Sequence, residues 1–290
     1  MKSKSILATI LLAGTVLTAA CGNTEDAKKE DATGKTAEQP KTEQVQLDQE
    51  VAAYKEFAID QLDKFTSSTE DFVNAVKAGD MKKAKEIYPV ARMYFERSEP
   101  IAESFGDLDP RIDARLADVK DEGKGEEDWS GYHKLERALW VEKTTKGYEK
   151  VADQLLADSK ELRARVETVE VTPKLMVNGA VDLLNEVSTS KITGEEEIYS
   201  HTDLYDFKAN IEGAEKIFTI LEKKIQDKDP ALAENLTKQF KNVNDLLAKH
   251  ETKDGGFVSY TKLKKEDTQA LSLAVNQLGE PLAQMGTILE

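Results

Sequence analysis

The sequence is poor in the residues that build the commonest metal cages. It has three histidines and one cysteine in 290 residues. That count excludes a histidine-rich zinc or copper cage, and it leaves the mature chain without an internal disulfide or a thiolate ligand. Positive charge is also scarce: 40 Lys and Arg stand against 55 Asp and Glu, a formal net of −15. Nucleic acid needs clustered cations against its phosphates, so it is not an expected partner. Strand-like alternation is missing over any length, with Gly256 to Tyr260 the one short candidate. The uncharged run Ile6 to Ala20 is too short and wrongly flanked for a spanning helix.

That run follows Lys2 and Lys4 and reads as a secretory signal over residues 1–20. It ends Leu17-Thr18-Ala19-Ala20-Cys21-Gly22, two small residues before the lone cysteine, which matches a lipoprotein processing site apart from Thr18, where leucine is commonest. Cys21 is therefore expected to be lipidated and to hold the chain on the extracytoplasmic face of the cell membrane. An ordinary signal with an incidental cysteine is the alternative. Losing Lys2 and Lys4 with the signal takes the formal charge from −15 to −17. Residues 21–46 lack aromatics and large apolar groups, so they cannot bury enough surface to offset chain entropy and read as a disordered tether.

From Leu47 to the end the apolar period is helical. Val51, Tyr54, Ala58, Leu62, Phe65, Phe72 and Val76 trace one stripe, ended by Gly79, and Asp80 can cap the next helix. That second helix carries Pro89 and Pro100, each expected to bend or break it. Asp109 is placed to cap a short segment after Pro110. Thr172-Pro173 and Asp229-Pro230 open later helices, and Ser188 to Ser200 reads as a loop. Leu204, Phe207, Ile211, Ala214, Phe218, Leu221 and Ile225 alternate steps of three and four, the seam of a bundle helix, and Pro281 is expected to bend the last one. The fold class is all-α, with two bundles meeting near residue 171, that is 47–170 and 171–290.

The chemistry centres on Trp129 to Trp140, WSGYHKLERALW. On a helix His133 and Glu136, at i and i+3, share one face about 5–6 Å apart. An imidazole and a carboxylate so placed can reach one transition-metal ion, although such pairs are also common on solvated helix surfaces. Glu96, Glu99 and Glu103 form an acidic stripe beside Phe95, Ile101 and Phe105, with Arg92 and Arg97 able to neutralise part of it. Asp113 can instead pair with Arg111 or Arg115. Glu195, His201, Asp203, Asp206 and Asn210 fall in a second polar block, where acids in a first turn also suit the helix dipole.

Gly131-Tyr132-His133-Lys134-Leu135-Glu136, closed by Leu139-Trp140, resembles the H-x-x-E signature of imelysin-like proteins, and within them the EfeO/EfeM iron-uptake lipoproteins. The blocks Phe95 to Pro110 and Gly194 to Asn210 resemble the same family, so the likeness runs over the whole body from Leu47. It implies one imelysin-like unit of two packed helical bundles with a central cleft. It implies a metal site at His133, Glu136, Glu96 and Glu99, joined by Asp113 and Glu195, with Glu103, His201, Asp203 and Asp206 as outer or second-site candidates. It implies an EfeU-type iron permease and an EfeB-type haem peroxidase as partners. Some EfeO proteins add a cupredoxin domain. This chain has neither room nor a free cysteine for one, so it resembles the shorter EfeM type.

The expected function is an anchored lipoprotein that binds iron, Fe(III) before Fe(II), zinc or copper(II), and passes it to a permease. Hard oxygen ligands suit ferric iron, and an acidic surface concentrates cations. An imelysin-type metallopeptidase is the enzymatic alternative, although a zincin needs two histidines around its glutamate in H-E-x-x-H and only one is here. A polysaccharide- or solute-binding lipoprotein is the third reading. A net charge near −17 would repel a polyuronate unless divalent ions bridged the two.

Overall fold

The computed structural model describes residues 46–289. The signal, Cys21 and the tether up to residue 45 lie outside the described residues. Within them are ten α-helices and no strand, only a single bridge between Glu251 and Phe257. The fold is all-α, and no described helix is long and apolar enough to cross a membrane.

The long helices are α1 (Asp48–Ala78), α2 (Met81–Ala102), α6 (Glu149–Val166), α7 (Pro173–Thr189), α8 (Asp203–Lys228), α9 (Pro230–Leu247) and α10 (Lys265–Leu289). Three short ones, α3 (Asp109–Asp113), α4 (Leu116–Asp121) and α5 (Gly131–Arg137), lie between α2 and α6. Helix α1 packs on α2 and α6, while α7, α8, α9 and α10 pack among themselves. Helix α2 also lies along α8 and α7. The approach of α2 to α8 is close because Gly213 presents no Cβ: one there would sit 2.8 Å from the Arg97 carbonyl.

Local signals set most boundaries. Asp80, Thr172 and Asp229 each accept a backbone amide from the first turn of their helices, and Gly79 ends α1 at φ 76°. Neither Pro89 nor Pro100 breaks α2, and α10 continues through Pro281. Tyr88, Pro89, Ala91, Arg92 and Phe95 are all buried, and that packing offsets the missing amide. Asp109 is the first residue of α3 and not its cap, which is Leu108.

The aromatic core fixes α5. Tyr132 stacks on Phe72 with centroids 5.4 Å apart, meets Phe65 and Tyr88, and shares a 2.7 Å hydrogen bond with Thr69. Gly131 begins α5 at φ 84°, pressed on α3: a Cβ would lie 2.2 Å from the Ile112 carbonyl oxygen. Ser130 Oγ and Trp129 Nε1 donate to the Arg111 and Ala114 carbonyls, pinning α5 and α3 together. Gly131→Ala should therefore lower unfolding free energy by about 3 kcal/mol, from left-handed backbone strain plus the clash. Urea denaturation measures it, and a loss below about 1 kcal/mol would show that α5 can shift without cost.

Candidate metal centre

With α5 pinned to α3, His133 comes up against Asp113. His133 Nδ1 and Glu136 Oε2 are 3.2 Å apart across one helical turn, and both side chains are buried. Glu136 Oε1 accepts the amides of Tyr199 at 2.9 Å and Ser200 at 2.6 Å. Burial raises the Glu136 pKa, but the His133 and Ser200 hydrogen bonds outweigh it and the net shift is downward. A carboxylate so held makes Nδ1 the donor and points the Nε2 lone pair outward when the ring is neutral. Past α5 the chain widens into a π turn, Ala138–Glu142, and Trp140 leaves it to pack on Tyr88.

Nε2 is buried and has no hydrogen-bond partner. It faces Asp113 Oδ1 at 3.7 Å and Glu196 Oε1 at 3.9 Å. Ligand atoms about 2.1 Å from one ion are separated by roughly 3.0 Å at a right angle and 4.2 Å when opposed. These separations fit shared coordination and are too long for direct hydrogen bonds. Asp113 and Glu196 also line an acidic cleft of about 380 Å³, while Glu136 stays behind the imidazole.

Two buried cations divide the rest. Arg92 bonds Glu96 at 2.6 Å, pairs with Asp113 and Glu197, and lies 3.5 Å from Asp206. Lys191 bonds Glu186 at 2.7 Å and Glu96 at 3.2 Å. Glu96 and Glu99 thus group with Glu186, and Asn210 donates to both at 3.0 Å. The four residues His133, Glu136, Glu96 and Glu99 do not meet at one point, because Arg92, one turn before Glu96, stands between the pairs.

The acidic strap between α7 and α8 also differs from expectation. Glu195 is exposed, whereas Glu196 and Glu197 turn inward to the groups around His133. Asp203 accepts the Glu197 amide at 3.1 Å, and Asp206 faces Arg92. Glu103 is exposed on the cleft wall, its pKa pushed up to about 7 by partial desolvation and by Glu186 and Asp182. His201 points away from the centre into a separate groove with Tyr205 and Phe257. Glu186 and Lys191 had no signal in the sequence, because α7 and the turn after it show no acidic or basic pattern that marks them.

Seven carboxylates are buried here, Glu96, Glu99, Glu136, Glu196, Glu197, Asp203 and Asp206, against Arg92, Lys191 and His133. The excess negative charge is held partly as protons. Burial, then the neighbouring Glu136, pushes Glu197 up to about 8, and burial lifts Asp203 to about 6. For His133, burial and Arg92 act downward, but the Glu136 hydrogen bond and the Glu197 and Asp113 charges raise it to about 9.

The imelysin family model, which carries a peptidase label, matches residues 50–285. The chain belongs to the imelysin family. A relative named as an Efem/EfeO family lipoprotein, from Staphylococcus haemolyticus (strain JCSC1435), is 55% identical over 289 residues, covering 98% of this chain and 99% of its own. A protein of the same name from Staphylococcus aureus (strain MSSA476) is 54% identical over 246 residues, 84% and 86% of the two chains. This imelysin chain also shares its fold with the crystal structure of a Parabacteroides distasonis protein described as an iron-regulated protein A precursor. The TM-score is 0.68 at 16% identity, over 85% of this chain and 96% of that one.

Proposed function

We propose that this imelysin-family chain captures iron, as Fe(III), between Asp113, His133 and Glu196 and hands it to an EfeU-type membrane permease, with an EfeB-type haem peroxidase in the same system. Cys21 carries the lipid anchor, and residues 21–46 hold the body off the extracytoplasmic membrane surface. The observation that supports this most is the unpartnered His133 Nε2, buried and aimed at two carboxylates on the cleft edge. Hard oxygen donors with one imidazole suit ferric iron, and the surplus of buried carboxylates favours a cation.

The geometry speaks for a carrier over a peptidase. A metallopeptidase needs a carboxylate free to take a proton from a water beside the metal. Glu136, the candidate base, is turned away, tied to His133 and to two backbone amides. The relatives named as lipoproteins point the same way.

The test is calorimetric titration of the soluble body with iron from a weak citrate complex, between about pH 6 and pH 9, beside a peptide-digestion assay. His133 in the metal-free site keeps its second proton up to about pH 9, and that proton must leave for Nε2 to bind. Affinity should therefore rise about tenfold per pH unit through this window, with one proton released per ion. Burial raises Glu196, but Lys191, His133 and Arg92 outweigh it and hold it at about 2, so it adds no pH dependence there. Binding indifferent to pH would remove His133 from the centre, and iron-dependent peptide cleavage would establish the enzyme reading instead.

A further inference from the structure

Residues 194–201 form a strap across the centre. Glu196 and Glu197 project inward from it, and the amides of Tyr199 and Ser200 close on Glu136. Both ends of the strap have left-handed backbone: Gly194 at φ 76° and His201 at φ 59°. A residue with a side chain holds that conformation only where its surroundings over-determine it. At His201 the surroundings include one tyrosine from the loop between α9 and α10. The Tyr260 amide donates to the His201 carbonyl at 2.9 Å. Its hydroxyl donates to the Ile192 carbonyl at 2.6 Å, two residues before the other end. Its ring lies against Gly194, where a Cβ would come 2.3 Å from ring carbon Cε1. A single side chain and its own amide thus hold both ends of the strap.

We infer that Tyr260 is a positioning residue for the metal centre, a latch that keeps the strap closed and so sets how fast a bound cation leaves. This rests on the site assignment above. Swinging the strap out at Gly194 and His201 withdraws Glu196 from the cleft edge. It also takes from Glu136 the two amides that aim it at His133. Both changes weaken the grip on a cation, and neither alters the helices that form the cleft. The coupling is reciprocal, since an ion bound to Glu196 holds the strap that Tyr260 holds.

Tyr260→Phe removes only the hydroxyl bond to Ile192, and Tyr260→Ala also removes the ring from Gly194. Two quantities are read on the folded protein. One is hydrogen exchange of the Tyr199 and Ser200 amides without metal. The other is the rate at which ferric iron, loaded from citrate, leaves to a strong chelator. Tyr260→Phe should speed both about fivefold, the loss expected for one hydrogen bond, and Tyr260→Ala about tenfold or more. Iron association and the thermal midpoint should change little, which a general loss of structure would not allow. Unchanged exchange at Tyr199 and Ser200 in Tyr260→Ala overturns the latch, and if that variant does not fold, unchanged exchange in Tyr260→Phe does so. Faster exchange with unchanged iron release would leave Tyr260 holding the strap but overturn its control of cation release, and with it the placing of Glu196 at the centre.

Discussion

Arg92→Met should destabilise the metal-free body by about 3–5 kcal/mol, the range for removing one partner from a buried charge network. The guanidinium is 1% exposed and faces Glu96, Asp113, Glu197 and Asp206. Methionine fills much of the space of the aliphatic stem but leaves those carboxylates without their main counter-charge. They can respond only by taking up protons, so the loss should shrink as pH falls. The unmodified body already shows the sign of this effect. Glu197, raised from 4.5 to about 8, and His133, raised from 6.5 to about 9, bind more protons folded than unfolded. Each therefore contributes stability that is complete below its unfolded value and is lost as pH rises through its folded one. Glu196, lowered to about 2, acts oppositely and loses its contribution as pH falls from 4.5 towards 2. Stability without metal should accordingly be greatest in mild acid and decline towards pH 9. Urea denaturation of both proteins across that range measures it. A variant equally destabilised in acid and at neutral pH would mean that packing around Arg92, and not charge, decides its role.

The helical architecture was legible because it depends on local signals. The steps of three and four from Leu204 to Ile225, and the cap-proline pairs Thr172-Pro173 and Asp229-Pro230, each act within one or two turns. That Pro89 does not break α2 is less local: its cost is real, but burial of its neighbours along α2 is a tertiary term. In the site, the His133–Glu136 contact could be read from spacing, because a helix fixes which residues share a face. The strap has no period, so nothing in Glu195-Glu196-Glu197 tells which acids turn inward. That follows from the left-handed turns at Gly194 and His201 and from the buried Arg92 and Lys191 that Glu197 and Glu196 face. Arg92 was visible as a neutraliser of the acidic stripe. Its position between Glu96 and Glu197, residues a hundred apart in sequence, follows from the packing of α2 and α8 beneath the strap.

Glu136→Gln should weaken iron binding about 10–100-fold, the usual cost of losing a partner behind a metal-binding histidine. Glutamine reproduces the shape. Its carbonyl oxygen would stay where Tyr199 and Ser200 donate, since turning it away would leave two amides facing an NH2 group. That choice points the NH2 at His133 Nδ1, where the carboxylate Oε2 had been. Donor then meets donor unless the imidazole moves its proton to Nε2, and that move removes the lone pair facing Asp113 and Glu196. The substitution thus acts on the tautomer of a residue it does not replace. Folding should change by no more than about 1 kcal/mol, because the strap amides keep their acceptor. Nitrogen NMR of His133 reads the tautomer and calorimetry reads the affinity. A switched tautomer with unchanged iron affinity would place the ion away from His133, where Glu96, Glu99 and Glu186 form another group of ligand type among the described residues.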